Sequence, residues 1–317
     1  LQVNVLAPEQ FTSAAAAGGL GTTILKTLGI FSQRGDPAWK YNMGGQPVFD
    51  WPVSALFYGG VVLALLGAAG YVRRSRIDRP LTDPHAFALL GVMVMLLPGF
   101  LSADAPHFLR TIGIAPLVFV FPALALSWLI DRWRWFAPLA ALLLIGEGAQ
   151  TGYRYFVQWA NDPRAYYAMQ ADTAGVAEFL QRRPPQAPIL FSSQYPGDPS
   201  VAYLAPDVFG TIRWFDGRAS LAFAPAGQPA LYAFTAGYQP GFLDVASLFR
   251  PDQLLAEGRD PAGAVAYRVY RADSPPPLQP SQALQADLGG LAQLHGFTAA
   301  PTGCPARRPG ARRPANR

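Results

Sequence analysis

Charge is scarce in this sequence. Only 14% of its 317 residues are Asp, Glu, Lys or Arg, against about 25% in an ordinary soluble domain, which argues against a simple water-soluble globule. Cysteine is almost missing. Cys304 stands alone, so an internal disulfide framework and any multi-cysteine metal or iron–sulfur site are excluded, and the redox compartment is unreadable. Histidine occurs three times, at His85, His107 and His295, without HxH or HxxxH spacing, so a histidine metal cage is not expected. The signatures GxSxG, GxxxxGK(S/T), HExxH and CxxC do not occur, which removes the commonest soluble-enzyme readings. GGLGTT at 18–23 is glycine-rich, but no strand pattern precedes it and no βαβ unit surrounds it, so it does not read as a phosphate loop. The chain begins at Leu1 with no charged stretch leading into an apolar run, so no signal peptide is legible and a piece of a longer protein is expected.

What is present is apolar. Hydrophobic residues make up 51% of the chain and the mean hydropathy is +0.16, a value that averages very apolar blocks with ordinary sequence. Four such blocks are visible, at 51–72, 86–103, 111–130 and 135–149. At 1.5 Å rise per residue the longer ones can cross a ~30 Å hydrocarbon core. The fourth is shorter and carries Glu147; the second holds Pro98 near its end, where neighbouring helices can satisfy a freed carbonyl. YVRRSRIDRP and DRWR are arginine-rich, whereas the loop ADAPHFLR between them holds Arg110 alone. The positive-inside bias therefore places the first two in the cytoplasm, and residues 1–50, the loop 104–110 and everything beyond about 150 on the outer face. Trp51, Tyr71, Trp128, Trp133, Trp135 and Tyr153 fall near the ends of these blocks, as an aromatic belt requires.

Beyond Tyr153 the composition changes. Residues 161–183 predict one or two helices, with Asp172-Thr173 as a cap and Pro184-Pro185 as a stop. Short β-like runs follow at 188–192, 201–204, 211–215, 220–223, 230–234 and 264–270. Residues 275–280 form a proline-rich linker, 279–297 carry weak helix and strand signals, and the basic end CPARRPGARRPANR has nothing apolar to bury. The expected fold is a mainly α membrane protein: an outer segment 1–50, about four transmembrane helices in 51–150, a small α/β or α+β extracytoplasmic domain in 151–274, and a disordered tail 275–317.

Two outer-face segments concentrate chemistry. RGDPAWKYNMGGQPVFDW gathers Arg34, Asp36, Trp39, Lys40, Asn42 and Asp50 immediately before an apolar block. Such a mixture can hold a sugar by aromatic stacking and hydrogen bonds, or simply tie the loop down. Its RGD tripeptide reads as a turn. DAPHFLR places Asp104, His107 and Arg110 between two blocks at headgroup level, where the planar fork of Arg suits a phosphate and His adds a donor.

These segments carry a resemblance. QVNVL at the start, RGDPAWKYNMGGQPVFD, LPGFLSADAPHFLRTIGIAP at 97–116 and RWFDG resemble the C-terminal half of bacterial multi-span glycosyltransferases of family 39, relatives of the protein O-mannosyltransferases and the aminoarabinose transferase. The resemblance covers roughly residues 2–235, and PHFLR with the preceding LPGFLS is its most specific part. It implies an integral enzyme of the plasma membrane that moves a sugar, with inversion, from a polyprenyl-phosphate carrier to an acceptor on the outer leaflet. It implies His107 and Arg110 near the carrier phosphate, and Arg34, Asp36, Trp39, Asn42 and Asp50 in the cavity wall. The family's catalytic aspartate lies in its first outer loop; no residue here matches it, and none is assigned. No cofactor is legible, although a divalent metal assists some relatives. The expected partners are membrane lipid and the lipid-linked sugar, with the acceptor unidentified and nucleic acid excluded. A second reading is a non-catalytic, membrane-anchored module that binds glycan or a partner protein. A transporter fragment is weaker, because charge inside the blocks is nearly absent: Glu147 lies within the fourth and Asp131 just past the end of the third.

Overall fold

The computed structural model of the chain describes residues 19–74, 83–102, 104–185, 187–193, 197–225, 227–239, 244–274, 282–287 and 293–297. The opening QVNVL, most of the YVRRSRIDRP loop, the proline-rich linker and the basic end with Cys304 lie outside the described residues.

The N-terminal part is helical. A short amphipathic helix, α1 (Leu20–Gly29), precedes the loop 30–50. Helices α2 (Trp51–Arg74) and α3 (Pro84–Phe100) follow. The stretch Phe108–Arg132 winds through α4 (Phe108–Thr111), a 3-10 turn, α5 (Ala115–Val118) and α6 (Val120–Arg132). Then comes α7 (Phe136–Tyr153), which leaves through a π-helical turn, Arg154–Trp159. The four expected apolar blocks are thus four helical stretches. Two of them are long and apolar enough to cross a membrane: Trp51–Gly70 with mean hydropathy 1.9, and Phe108–Arg132 with 2.1. The α3 helix falls short at 17 residues, because Asp83 caps it one turn before the apolar run and the chain turns at Leu101. In α7, Glu147 and Gln150 interrupt the apolar sequence.

Only 22% and 28% of the two long apolar windows is buried. Leu66, Met93, Leu97, Leu142 and Ile145 are each at least half exposed, an amount of outward-facing apolar surface that is compatible with a membrane or with a partner surface. What packing there is depends on small residues. A Cβ on Gly60 of α2 would overlap the Phe121 carbonyl of α6, and one on Gly59 would stand 3.8 Å from the Ala125 methyl. Close helix approach of this kind supplies the van der Waals contact that membrane helices rely on. Phe31, Phe49, Phe57 and Phe121 fill the seam above it.

The second part is a mixed sheet with helices. Helices α8 (Pro163–Ala168) and α9 (Ala171–Arg182) precede β1 (Ile189–Ser192). Then come α10 (Pro199–Leu204), α11 (Pro206–Phe209), β2 (Ile212–Phe215), β3 (Ala230–Thr235), β4 (Leu254–Arg259) and β5 (Val265–Ala272). The sheet order is β2-β1-β3-β5-β4. β1 pairs in parallel with β2 and β3, and β5 pairs antiparallel with β3 and β4. Every residue of β1 and β3 is buried, as strands covered on both faces must be. One face packs Val176, Leu180, Val201 and Val208 from the helices; the other packs Phe223, Val245 and Phe249 from loops. A separate hairpin, β6 (Gln282–Asp287) with β7 (Gln293–Phe297), lies in the segment that gave weak signals.

Three local expectations are corrected. Residues 201–204 are helical rather than extended, because Asp198 caps α10 through the Ser200 N–H at 2.8 Å with Pro199 as the first helical residue. Residues 220–223 pack on the sheet without pairing to it. Asp172 is not a cap: Gln170 holds that position, and Asp172 lies buried in the first turn of α9.

Candidate functional site

The two loops singled out in the sequence meet in the structure. Asp36 is 2% exposed. Its Oδ1 accepts from the Ala38 N–H and its Oδ2 from the Phe108 N–H, each at 2.8 Å. One carboxylate therefore closes its own turn and fixes the first residue of α4, which joins the RGD segment to the PHFLR corner. Neighbouring Gly35 is required there, since a Cβ would overlap the Gln46 carbonyl. His107 Nδ1 lies 3.7 Å from Asp36 Oδ2, shielded from solvent and without a hydrogen bond among the described residues. Its ring stands 5.6 Å from that of Tyr41. Within the RGD tripeptide Gly35 and Asp36 are buried while Arg34 is exposed.

Arg110 closes the same corner. Its Nη1 donates to Ser102 Oγ, and its Nη2 lies 3.5 Å from Asp104 Oδ2. Asp50 faces the other way: both its oxygens accept from Arg154 Nη1 at 2.7 Å, and Gln150 Nε2 adds a bond at 3.0 Å. The start of α2 is thereby fastened to the end of α7. Trp39 bridges to the second part of the molecule. The Arg164 guanidinium sits 4.0 Å from its ring centroid, and Trp159 Nε1 donates to its carbonyl at 2.9 Å. Arg164 forks onto Asp162 at 2.8 and 2.9 Å, and that hydrogen-bonded fork holds the Asp162 carboxyl below the usual carboxylate range. Among the described residues Asn42 bonds within its own turn, its Oδ1 accepting from the Met43 N–H at 2.8 Å.

Beside this junction lies a cavity of about 390 Å³ lined by Leu25, Lys26, Gly29, Gln33, Arg34, Gly35, Pro37, Ala105 and Pro106. Of the seven residues expected in the site, Arg34 alone lines it. Asp36 supports its wall from behind, while Trp39, Asn42 and Asp50 tie elements together. His107 and Arg110 stand on the adjoining corner. Lys26, which the sequence reading missed, supplies the second cation. The signal for it was faint: a lone basic residue in the last turn of an amphipathic helix, where the helix C-terminus favours positive charge. Among the described residues neither Lys26 nor Arg34 makes an ion pair. No carboxylate among the described residues lines the cavity, so it is suited to an anion.

Among the described residues no group of three His, Cys, Asp or Glu side chains comes together, and the buried carboxylate nearest the corner, Asp36, already accepts two backbone N–H groups. Comparison with known proteins returned no match to the chain from any family model, curated protein or solved structure.

Proposed function

We propose that the chain is the C-terminal, outer-face half of a membrane glycosyltransferase that uses a polyprenyl-phosphate-linked sugar, and that Lys26 and Arg34 hold the carrier phosphate. The observation that carries this reading is a pair of cations that, among the described residues, have no ion-pair partner and share a cavity lined by no carboxylate, next to helices whose apolar side chains face outward. A lipid-linked phosphate needs both features within a few ångströms. As the glycosyl bond breaks, negative charge grows on the leaving phosphate, and cations already in place stabilise it without reorganising. Asp36 positions the loop that carries Arg34, and Arg110 and His107 shape the corner behind it.

All four helical stretches cross the bilayer in this proposal, α3 and α7 with flanking residues completing their spans. Three contacts support a common outer side: Asp36 to the start of α4, Asp50 to Arg154 beyond α7, and Trp39 to Trp159. Trp51, Trp128, Trp133, Trp135 and Tyr153 are all more than 40% exposed near helix ends, which fits an interfacial belt. The catalytic carboxylate would come from elsewhere in a longer chain.

The test is binding of farnesyl phosphate to the detergent-solubilised chain. Arg34→Ala and Lys26→Ala should each weaken it about tenfold, the usual worth of a charge-assisted contact to phosphate, and added salt should weaken it further. Equal binding of farnesol, or unchanged affinity in both variants, removes the reading. The absence of a carboxylate from the cavity lining also favours a second reading, a non-catalytic membrane-anchored module; binding without sugar transfer in the longer parent would establish it.

A further inference from the structure

A larger cavity, about 430 Å³, lies in the sheet-containing part of the molecule, well within the range of about 300–1,000 Å³ typical of small-molecule sites. Its place follows from topology. The chain leaving β1 turns to the face covered by α10 and α11, whereas the chain leaving β3 reaches Val245 and Phe249 on the opposite face. Two adjacent parallel strands whose exits diverge leave a crevice at their carboxyl ends, and in open α/β sheets that crevice is where ligands bind. Ser193 after β1, and Gly237 and Tyr238 after β3, line it, and the first turn of α9 closes the far side with Gln170, Asp172 and Thr173.

The lining chemistry narrows the occupant. Among the described residues that line it Asp172 is the only charged side chain, and the Arg218 guanidinium, 4.8 Å from the Tyr238 ring centroid, is already forked onto Asp216, so a phosphate, sulfonate or nucleotide is disfavoured. Hydroxyl, amide and carboxyl groups converge with two tyrosine rings, Tyr167 and Tyr238. Tyrosine faces accept the C–H face of a pyranose, and short polar side chains meet its hydroxyls. Gln170 adds a sign of construction: at φ 56° it is the only non-glycine residue with positive φ among those described, and its Nε2 reaches back to Asp198 at 3.3 Å. Strain of this kind persists where the surroundings hold it in place. Burial also pushes the Asp172 carboxyl up from its ordinary value, which suits a group that shares hydrogen bonds with neutral hydroxyls.

We propose that the crevice at the carboxyl ends of β1 and β3 is a binding site for a neutral saccharide. It stands apart from the cationic cavity and does not depend on sugar transfer by the chain. The experiment is saturation-transfer-difference NMR on the full chain in a non-glycosidic detergent, with methyl α-mannoside, maltose and N,N′-diacetylchitobiose as probes. Saturation of ring C–H protons is expected for at least one probe, weakened at least fivefold by Tyr238→Ala and by Gln170→Gly. Glycine is at ease at φ 56°, so Gln170→Gly keeps the fold while deleting the amide, and it decides the matter if Tyr238→Ala fails to fold. No saturation of any probe overturns the proposal, and so does undiminished saturation in Gln170→Gly.

Discussion

At the scale of single residues, buried carboxyl and phenol groups set what the chain tolerates. Asp36 accepts two backbone N–H groups, one from Ala38 in its own turn and one from Phe108, 72 residues further along the chain. Asp36→Ala strands both donors and should cost about 2–3 kcal/mol, read as a lower midpoint of thermal unfolding in detergent. Asp36→Asn retains one acceptor oxygen and should cost less. Tyr167 behaves differently, because its effect depends on pH. Burial, followed by its hydrogen bond to Asp260 at 3.2 Å, pushes the phenol up to about 12 from an ordinary 10. The folded state therefore keeps a proton that the unfolded chain sheds first. Stability is fully present below pH 10 and falls as pH rises from there towards 12. Tyr167→Phe should flatten that alkaline slope while lowering stability slightly at neutral pH, as seen in unfolding midpoints recorded from pH 8 upward. Asp172, also raised by burial, acts in the same sense at acid pH. Its folded form holds the proton longer, so stability falls as pH climbs above the ordinary aspartate value, and Asp172→Asn should remove that fall.

At the scale of elements, the apolar helices were readable because lipid-compatible composition needs no partner to show itself. Their pairing was not. The contact of α2 with α6 depends on Gly60 lying against the Phe121 carbonyl, and a lone glycine in an apolar run gives no register. Gly60→Ala should force the two helices apart and cost about 1–3 kcal/mol, whereas Gly146→Ala, where a Cβ meets nothing within 4 Å, should be harmless; parallel melting curves compare them. In the sheet, β1, β2, β3 and β5 were legible as apolar runs of strand length. β4 was not, because an edge strand with the sequence LLAEGR shows no buried periodicity. The misreading of 201–204 came from weighing residue type over capping. Asp83-Pro84, Asp162-Pro163 and Asp198-Pro199 all begin helices in the same way, a repeated signal that outweighs a β-branched valine. The site was half legible. Both loops were identified, yet which side chain faces the cavity depends on how Asp36 and Arg154 spend their hydrogen bonds across about a hundred residues, and spacing along the chain does not encode that.

At the scale of the whole molecule, one geometric fact organises the rest: the loops before α2 and α4 and the segment after α7 interlock on one side, while the turn between α6 and α7 lies at the opposite helix ends. If outward-facing apolar surface drives the helices into lipid, the sheet-containing part and the cationic cavity share one aqueous compartment, and Arg134 faces the other. Replacing Cys304 by Ser and introducing Ser220→Cys or Arg134→Cys, both exposed positions, makes this measurable. In intact cells a membrane-impermeant maleimide should label Ser220→Cys at once and Arg134→Cys only after permeabilisation. Equal labelling of the two before permeabilisation would mean that the helices do not separate two compartments. The exposed apolar belt would then be an assembly surface between chains, and the phosphate cavity would lose the lipid neighbour on which its reading depends.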